Sequence, residues 1–155
     1  MGMHVLGRKQ TDADQMDRFN LQRFVDAQTP VWDEVQAEIE QAAKRSHWMW
    51  FVFPQLAALG RSSAAKFYGI SGADEARAYL AHPLLGPRLL ECCGALFMLT
   101  GVSASQMFGD VDAMKLRSCL TLFGATSSST PIFRDCLNHY FGGERDPLTV
   151  QLLAD

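Results

Sequence analysis

The chain lacks a long apolar run. Its longest, Trp48 to Phe53, falls far short of the ~20 residues a membrane-spanning helix needs, and no membrane partner is expected. The opening residues carry no apolar signal core, and Leu6 stands where a myristoylation motif requires Ser or Thr. A cytoplasmic location is the expectation. A basic excess is also missing: 14 Lys and Arg stand against 17 Asp and Glu, for a net charge of −3. This argues against nucleic acid as a partner, because phosphate neutralisation needs clustered positive charge.

The chemical motifs of several enzyme classes are equally absent. There is no glycine-rich phosphate loop, no GxSxG elbow and no HExxH pair. Four cysteines, Cys92, Cys93, Cys119 and Cys136, form no CxxC pair, and His4, His47, His82 and His139 are scattered. The cysteines read as soft core filler in a reducing compartment. No metal site and no cofactor are expected.

What is present describes one ordinary domain. A chain of 155 residues, 48% hydrophobic and 20% charged, has the composition of a packed globule. Polar, aperiodic residues 1–17 read as a flexible N-terminal arm, and 18–155 as a single helical domain. Thr29-Pro30, Thr130-Pro131 and Asp146-Pro147 each place a capping side chain before proline. Ser71 to Asp74 and Ser103 to Gln106 have capping-box spacing, and Gly124 and Gly142 stand where helices should stop. Period-2 alternation is absent, so the fold class is all-α: a single compact multihelical domain. The expected helices are Asn20–Ala27, Pro30–Trp50, Ser62–Tyr68, Ala73–Ala81, Leu84–Thr100, Ala104–Phe108, Val111–Phe123, Pro131–Phe141 and Pro147–Leu153.

The densest chemistry lies in Lys44-Arg45-Ser46-His47-Trp48-Met49-Trp50-Phe51-Val52-Phe53-Pro54-Gln55. Two of the three tryptophans fall within this stretch, behind a dibasic pair and a histidine. Val31, Trp32, Val35, Ile39 and Ala43 span about 120° of the preceding helix, as on an ordinary surface helix. Continued past His47, a helix carries apolar residues on every side and enters the core, with Trp48, Trp50 and Phe53 largely buried. Lys44 and His47 then stand at the mouth of an aromatic wall. Two readings are open there: a pocket in which rings stack a planar group and cations hold an anion, or a core helix whose basic residues snorkel outward.

In Val111–Phe123, the apolar residues Val111, Met114, Leu116, Cys119, Leu120, Leu122 and Phe123 leave only a narrow polar face around Arg117. Lys115 falls between Leu122 and Cys119, and Ser118 between Val111 and Met114. An unpaired ammonium there is costly, so Lys115 needs a carboxylate such as Asp112 or an anionic ligand. Arg23 and Gln28, beside Leu21, Phe24 and Val25, carry a weaker signal.

The run His47-Trp48-Met49-Trp50 through Phe53-Pro54-Gln55 resembles the hallmark of a bacterial family, domain of unknown function 1810, sometimes labelled calpastatin. Similar pieces are Leu21-Gln22-Arg23-Phe24 with Ala27-Gln28, Lys115-Leu116-Arg117-Ser118 with Thr121-Leu122-Phe123, and Tyr140-Phe141 with Gly143, Asp146 and Thr149. Ala42 and Ala58 replace glycines usual in that pattern. The resemblance implies a multihelical domain and brings no established active site. The calpastatin label conflicts with the composition, since an inhibitor of that type is long, polar and disordered.

Two functions follow as expectations. One is a pocket for a small anionic planar, nucleotide-like metabolite, with Arg23, Gln28, Lys44, His47, Trp48, Trp50, Gln55, Lys115 and Ser118 as candidate ligand-binding residues. His47 is the best candidate acid or base, because imidazole titrates near neutral pH. The other is a non-catalytic protein–protein interaction module presenting part of the aromatic segment.

Overall fold

Helix α8, Asp110–Thr126, organises the molecule because its second half is buried on every side: Leu116, and then Ser118 through Phe123. A helix without a solvent face must be surrounded. In the computed structural model, which describes residues 17–155, α5 (Ala73–Ala81), α7 (Ala104–Phe108), α9 (Ile132–Phe141) and α10 (Pro147–Ala154) all pack against it. Around that axis, α6 (Leu85–Met98) packs on α5 and α9, and also on α2 (Trp32–Glu40). The remaining helices are α1 (Gln22–Gln28), the single turn α3 (Met49–Val52) and α4 (Ser63–Phe67). Helices α1 and α3 pack together. The fold is a compact all-α domain. Its only β pairing among the described residues is one isolated parallel bridge, Leu56 to Ile70.

Local chemistry explains most boundaries. Ser103 and Gln106 form a complete capping box ahead of α7. Asp146 accepts from the Thr149 N–H, with Pro147 in the first turn of α10. Gly142, at φ +61°, ends α9. All four cysteines are free and buried, as expected of core filler, and burial pushes the Cys92 thiol up to about 12.

Several expectations need correction. The proposed arm lies outside the described residues, except for Asp17, which joins the turn before α1: its carbonyl accepts from the Asn20 N–H at 3.0 Å. Ser71 does not cap α5; Gly72 precedes it, and the Ser71 N–H donates to Glu75. Gly124 lies inside α8 instead of ending it. Thr130 gives α9 no side-chain cap and pairs with the Ser127 hydroxyl.

The largest correction concerns the single helix expected over Pro30–Trp50. A 3-10 turn, Thr29–Val31, leads into α2, which stops at Glu40. The Ala42 N–H donates to Ile39 O and the Ala43 N–H to Glu38 O, with Ala42 at φ +53°. These are the paired bonds of a Schellman stop, and Ala42 occupies its left-handed position. Glycine is the residue that takes this conformation freely, whereas a Cβ there costs about 1–2 kcal/mol. Alanine conceals the stop from helix propensity.

An Ala42→Gly substitution should therefore raise stability by up to about 1 kcal/mol, after allowing for the greater unfolded-state freedom of glycine. Urea unfolding measures it, and a loss of stability would show that Ala42 is not strained.

Candidate functional site

The break after α2 builds the site. Residues 41–48 form a loop that turns back over the end of α2, and Glu38 holds it from beneath. This carboxylate, 6% exposed, accepts from the Arg45 and Ser46 N–H groups, the Ser46 hydroxyl and the Trp48 indole N–H, at 2.6–3.1 Å. Burial alone would raise its pKa; four donors outweigh that and hold it down at about 2. The anchored indole of Trp48 is buried against Phe53 and Phe108, with centroids 6.1 and 6.2 Å away.

Above this floor, α8 meets the loop. The Lys44 N–H donates to Met107 O, pinning the loop to α7. The Lys44 ammonium lies 2.8 Å from Asp112 Oδ2 and donates to Ser46 O at 2.6 Å. The Lys115 ammonium lies 3.0 Å from Asp112 Oδ1 and 3.8 Å from the centroid of the Trp50 ring. Lys44 stands 5.2 Å from the Trp48 ring. One carboxylate thus joins two lysines from distant segments, each beside its own indole. Burial pushes Asp112 up, and the two ammoniums more than reverse it, holding the carboxyl below its ordinary range. Its place in the first turn of α8 favours the anion further.

The site residues expected from the sequence divide into groups. Lys44, Lys115, Trp48 and Trp50 are brought together. His47 is exposed in the loop between Lys44 and Trp48, and Gln55 is half-buried, its carbonyl accepting from the Ile70 N–H. Ser118 is close in sequence, but its hydroxyl donates to Met114 O within the helix. Arg23 and Gln28 belong to other networks. The Arg23 guanidinium donates to the carbonyls of Phe67, Phe19, Asn20 and Gly69 and pairs with Glu75 at 2.8 Å. The Gln28 carboxamide donates to Phe51 O and the Tyr79 hydroxyl. Both residues spend their polar atoms inside the fold.

Trp50, expected to be largely buried, is half-buried. The cause is the short α3: a single turn buries Met49 and Val52 and turns Trp50 and Phe51 partly outward. Val111 and Met114 are also not buried; 71% and 50% exposed, they flank the Lys115 turn of α8. Helical periodicity counted them with the core, but the first turns of α8 emerge from it.

Glu38 and the bridging role of Asp112 were the residues least visible in sequence. Glu38 stands at the edge of the apolar face of α2, and the reversal of the loop encloses it. Asp112 was legible as a partner for Lys115 from its i, i+3 spacing, but not as a partner for Lys44.

In chemical terms the corner presents ammonium donors beside a half-buried indole. Three cations (Lys44, Arg45 and Lys115) and two carboxylates (Glu38 and Asp112) leave one net positive charge. Each ammonium has three N–H donors, and Lys44 spends two of them internally. Among the described residues no group of three His, Cys, Asp or Glu side chains is placed to hold a metal ion, and no helix is long and apolar enough to cross a membrane.

Residues 18–153 match the model of the family described as protein of unknown function, DUF1810. The chain belongs to that family. A solved structure of the conserved hypothetical protein Rv1873 from Mycobacterium tuberculosis is similar at a TM-score of 0.88 and 50% identity. The alignment covers 90% of this chain and 99% of that one. No curated protein matches the chain. Within the DUF1810 domain, the tryptophan segment thus contributes one core indole and one half-buried indole.

The Glu38 linkage has a definite sign. Its folded pKa of about 2 lies below the ordinary 4.5, so its contribution is present above about pH 4.5 and disappears as pH falls towards 2. Glu38→Gln should cost about 2–3 kcal/mol at neutral pH, because charged acceptors are lost. It should also flatten the fall in stability between those pH values. Urea unfolding across the acid range would expose an unchanged slope as a contradiction.

Proposed function

We propose that the corner formed by Trp50, Lys115 and Lys44 binds a small anionic planar metabolite of nucleotide-like character. The observation that carries this reading is the Lys44–Asp112–Lys115 bridge beside the half-buried Trp50 indole. One carboxylate leaves one of its two ammoniums' charges unbalanced, so a ligand anion meets net positive charge without displacing Asp112. The indole offers its edge or free face to a planar group, and Lys115 bridges the two parts of the ligand. The exposed His47 imidazole is the group that would exchange a proton with bound ligand. Ser118 and the buried cysteines are committed to the interior and supply no nucleophile.

A second reading has its own observation. Val111 and Met114 are exposed beside Lys115 and form an apolar patch of the kind that protein partners cover.

A thermal-shift series with AMP and related nucleoside phosphates separates these readings. At 100 times its dissociation constant, a bound ligand stabilises by about 2.7 kcal/mol. Lys115→Gln should reduce the shift while Val111→Asp preserves it. A silent series with the wild-type chain would remove the metabolite reading and leave the partner surface.

A further inference from the structure

A second cationic place lies away from the loop, between α8, α9 and the turn at residues 142–145. The cavity there measures about 340 Å³ and is lined by Arg134, Asn138, Gly143 and Arg145 over Gly124, Ala125 and Leu137. An adjoining open groove of about 590 Å³ shares Gly143 and Arg145 with it and reaches Arg117.

The turn is built to hold this shape. Arg117 donates from Nε to Glu144 O at 2.9 Å and from Nη2 to Arg145 O at 2.8 Å, fastening the turn to α8. Gly143 has φ +80°, and a Cβ on it would stand 2.8 Å from Asn138 Oδ1. A side chain at 143 would therefore be strained and would press on the carboxamide that lines the cavity. Thr121 forms part of the wall, but its hydroxyl is already committed to Arg117 O and the Asp146 N–H.

The charges are unbalanced. Among the described residues neither Arg134 nor Arg145 forms an ion pair, and neither guanidinium makes a hydrogen bond to the protein. Two acids of this turn are otherwise placed: the Asp146 carboxylate caps α10, and Glu144 lies 3.8 Å from Arg117. Two unpaired guanidiniums share one concavity in a chain of net charge −3. Both arginines are solvent-exposed and so accessible to an anion, and planar guanidinium forks suit the oxygens of a phosphoryl group. The small residues Gly124 and Ala125, with buried Leu137, leave an apolar floor for a carbon body.

We propose that this cleft binds a small organic phosphate, with the phosphoryl group between Arg134 and Arg145 and its carbon portion over Gly124, Ala125 and Leu137. Asn138 adds a neutral donor. The site is independent of the Trp50 corner.

Titration of the 15N-labelled chain with phenyl phosphate, inorganic phosphate and benzoate tests it. Phenyl phosphate should shift the amide signals of Gly124, Ala125 and Gly143, and the Asn138 side-chain signal. It should bind more tightly than inorganic phosphate, which lacks the carbon body, and than benzoate, which lacks the tetrahedral oxygens. The Arg134→Gln and Arg145→Gln variants should each weaken binding at least about tenfold, as expected for loss of a charge-assisted contact, with the rest of the spectrum unchanged. Lys115→Gln should leave it intact, separating this cleft from the corner. Absence of shifts at about 10 mM, already a very weak affinity, would overturn the proposal. So would equal binding by benzoate, or undiminished binding by the arginine variants.

Discussion

A single carboxylate, Asp112, sets the geometry on which the candidate site depends. It accepts ammoniums from the loop after α2 and from its own helix, drawing Lys44 and Lys115 to one point. Each lysine then lies against an indole, and the loop is closed over α7 and α8. Glu38 does the complementary work from below, gathering four donors so that the loop has a fixed interior. Partly buried charges are retained here by mutual pairing and hydrogen bonding; removing one member would strand the others.

Much of the fold was legible because its stops and starts carry local chemistry. Ser103 with Gln106, Asp146 before Pro147, and Gly142 each mark a boundary with a side chain or a conformation that the sequence displays. The stop at Ala42 could not be read from propensity, since alanine favours the helix that it terminates. The available signal was the glycine that the family resemblance implies at that position. Missing that stop moved Trp50 into the core, where a single-turn α3 leaves it half-buried.

The site was legible in the one respect that follows from cost. A lysine on a nearly apolar helix needs a partner, and that requirement pointed to Asp112 for Lys115. Nothing local indicated that Lys44 would reach the same carboxylate, because a contact between segments so far apart depends on the whole packing of α8. Arg23 and Gln28 illustrate the opposite problem. As motif residues they were plausible ligands, yet their donors are used to join α1 to the residues around 67–79. In this DUF1810 domain a large part of the polar motif holds the helices together. Polar groups with donors to spare are found at the Trp50 corner and in the arginine cleft.

The account of the corner rests on a difference between two neighbouring indoles. Trp48 gives its N–H to Glu38 and is buried, whereas Trp50 stands half-buried beneath Lys115. The chain has three tryptophans, so its indole N–H signals are few enough to follow individually in a 15N NMR titration with AMP. The account predicts a saturable shift of the Trp50 indole signal while that of Trp48 stays in place. A Trp50 signal that does not move, while the ligand binds elsewhere on the chain, would contradict it.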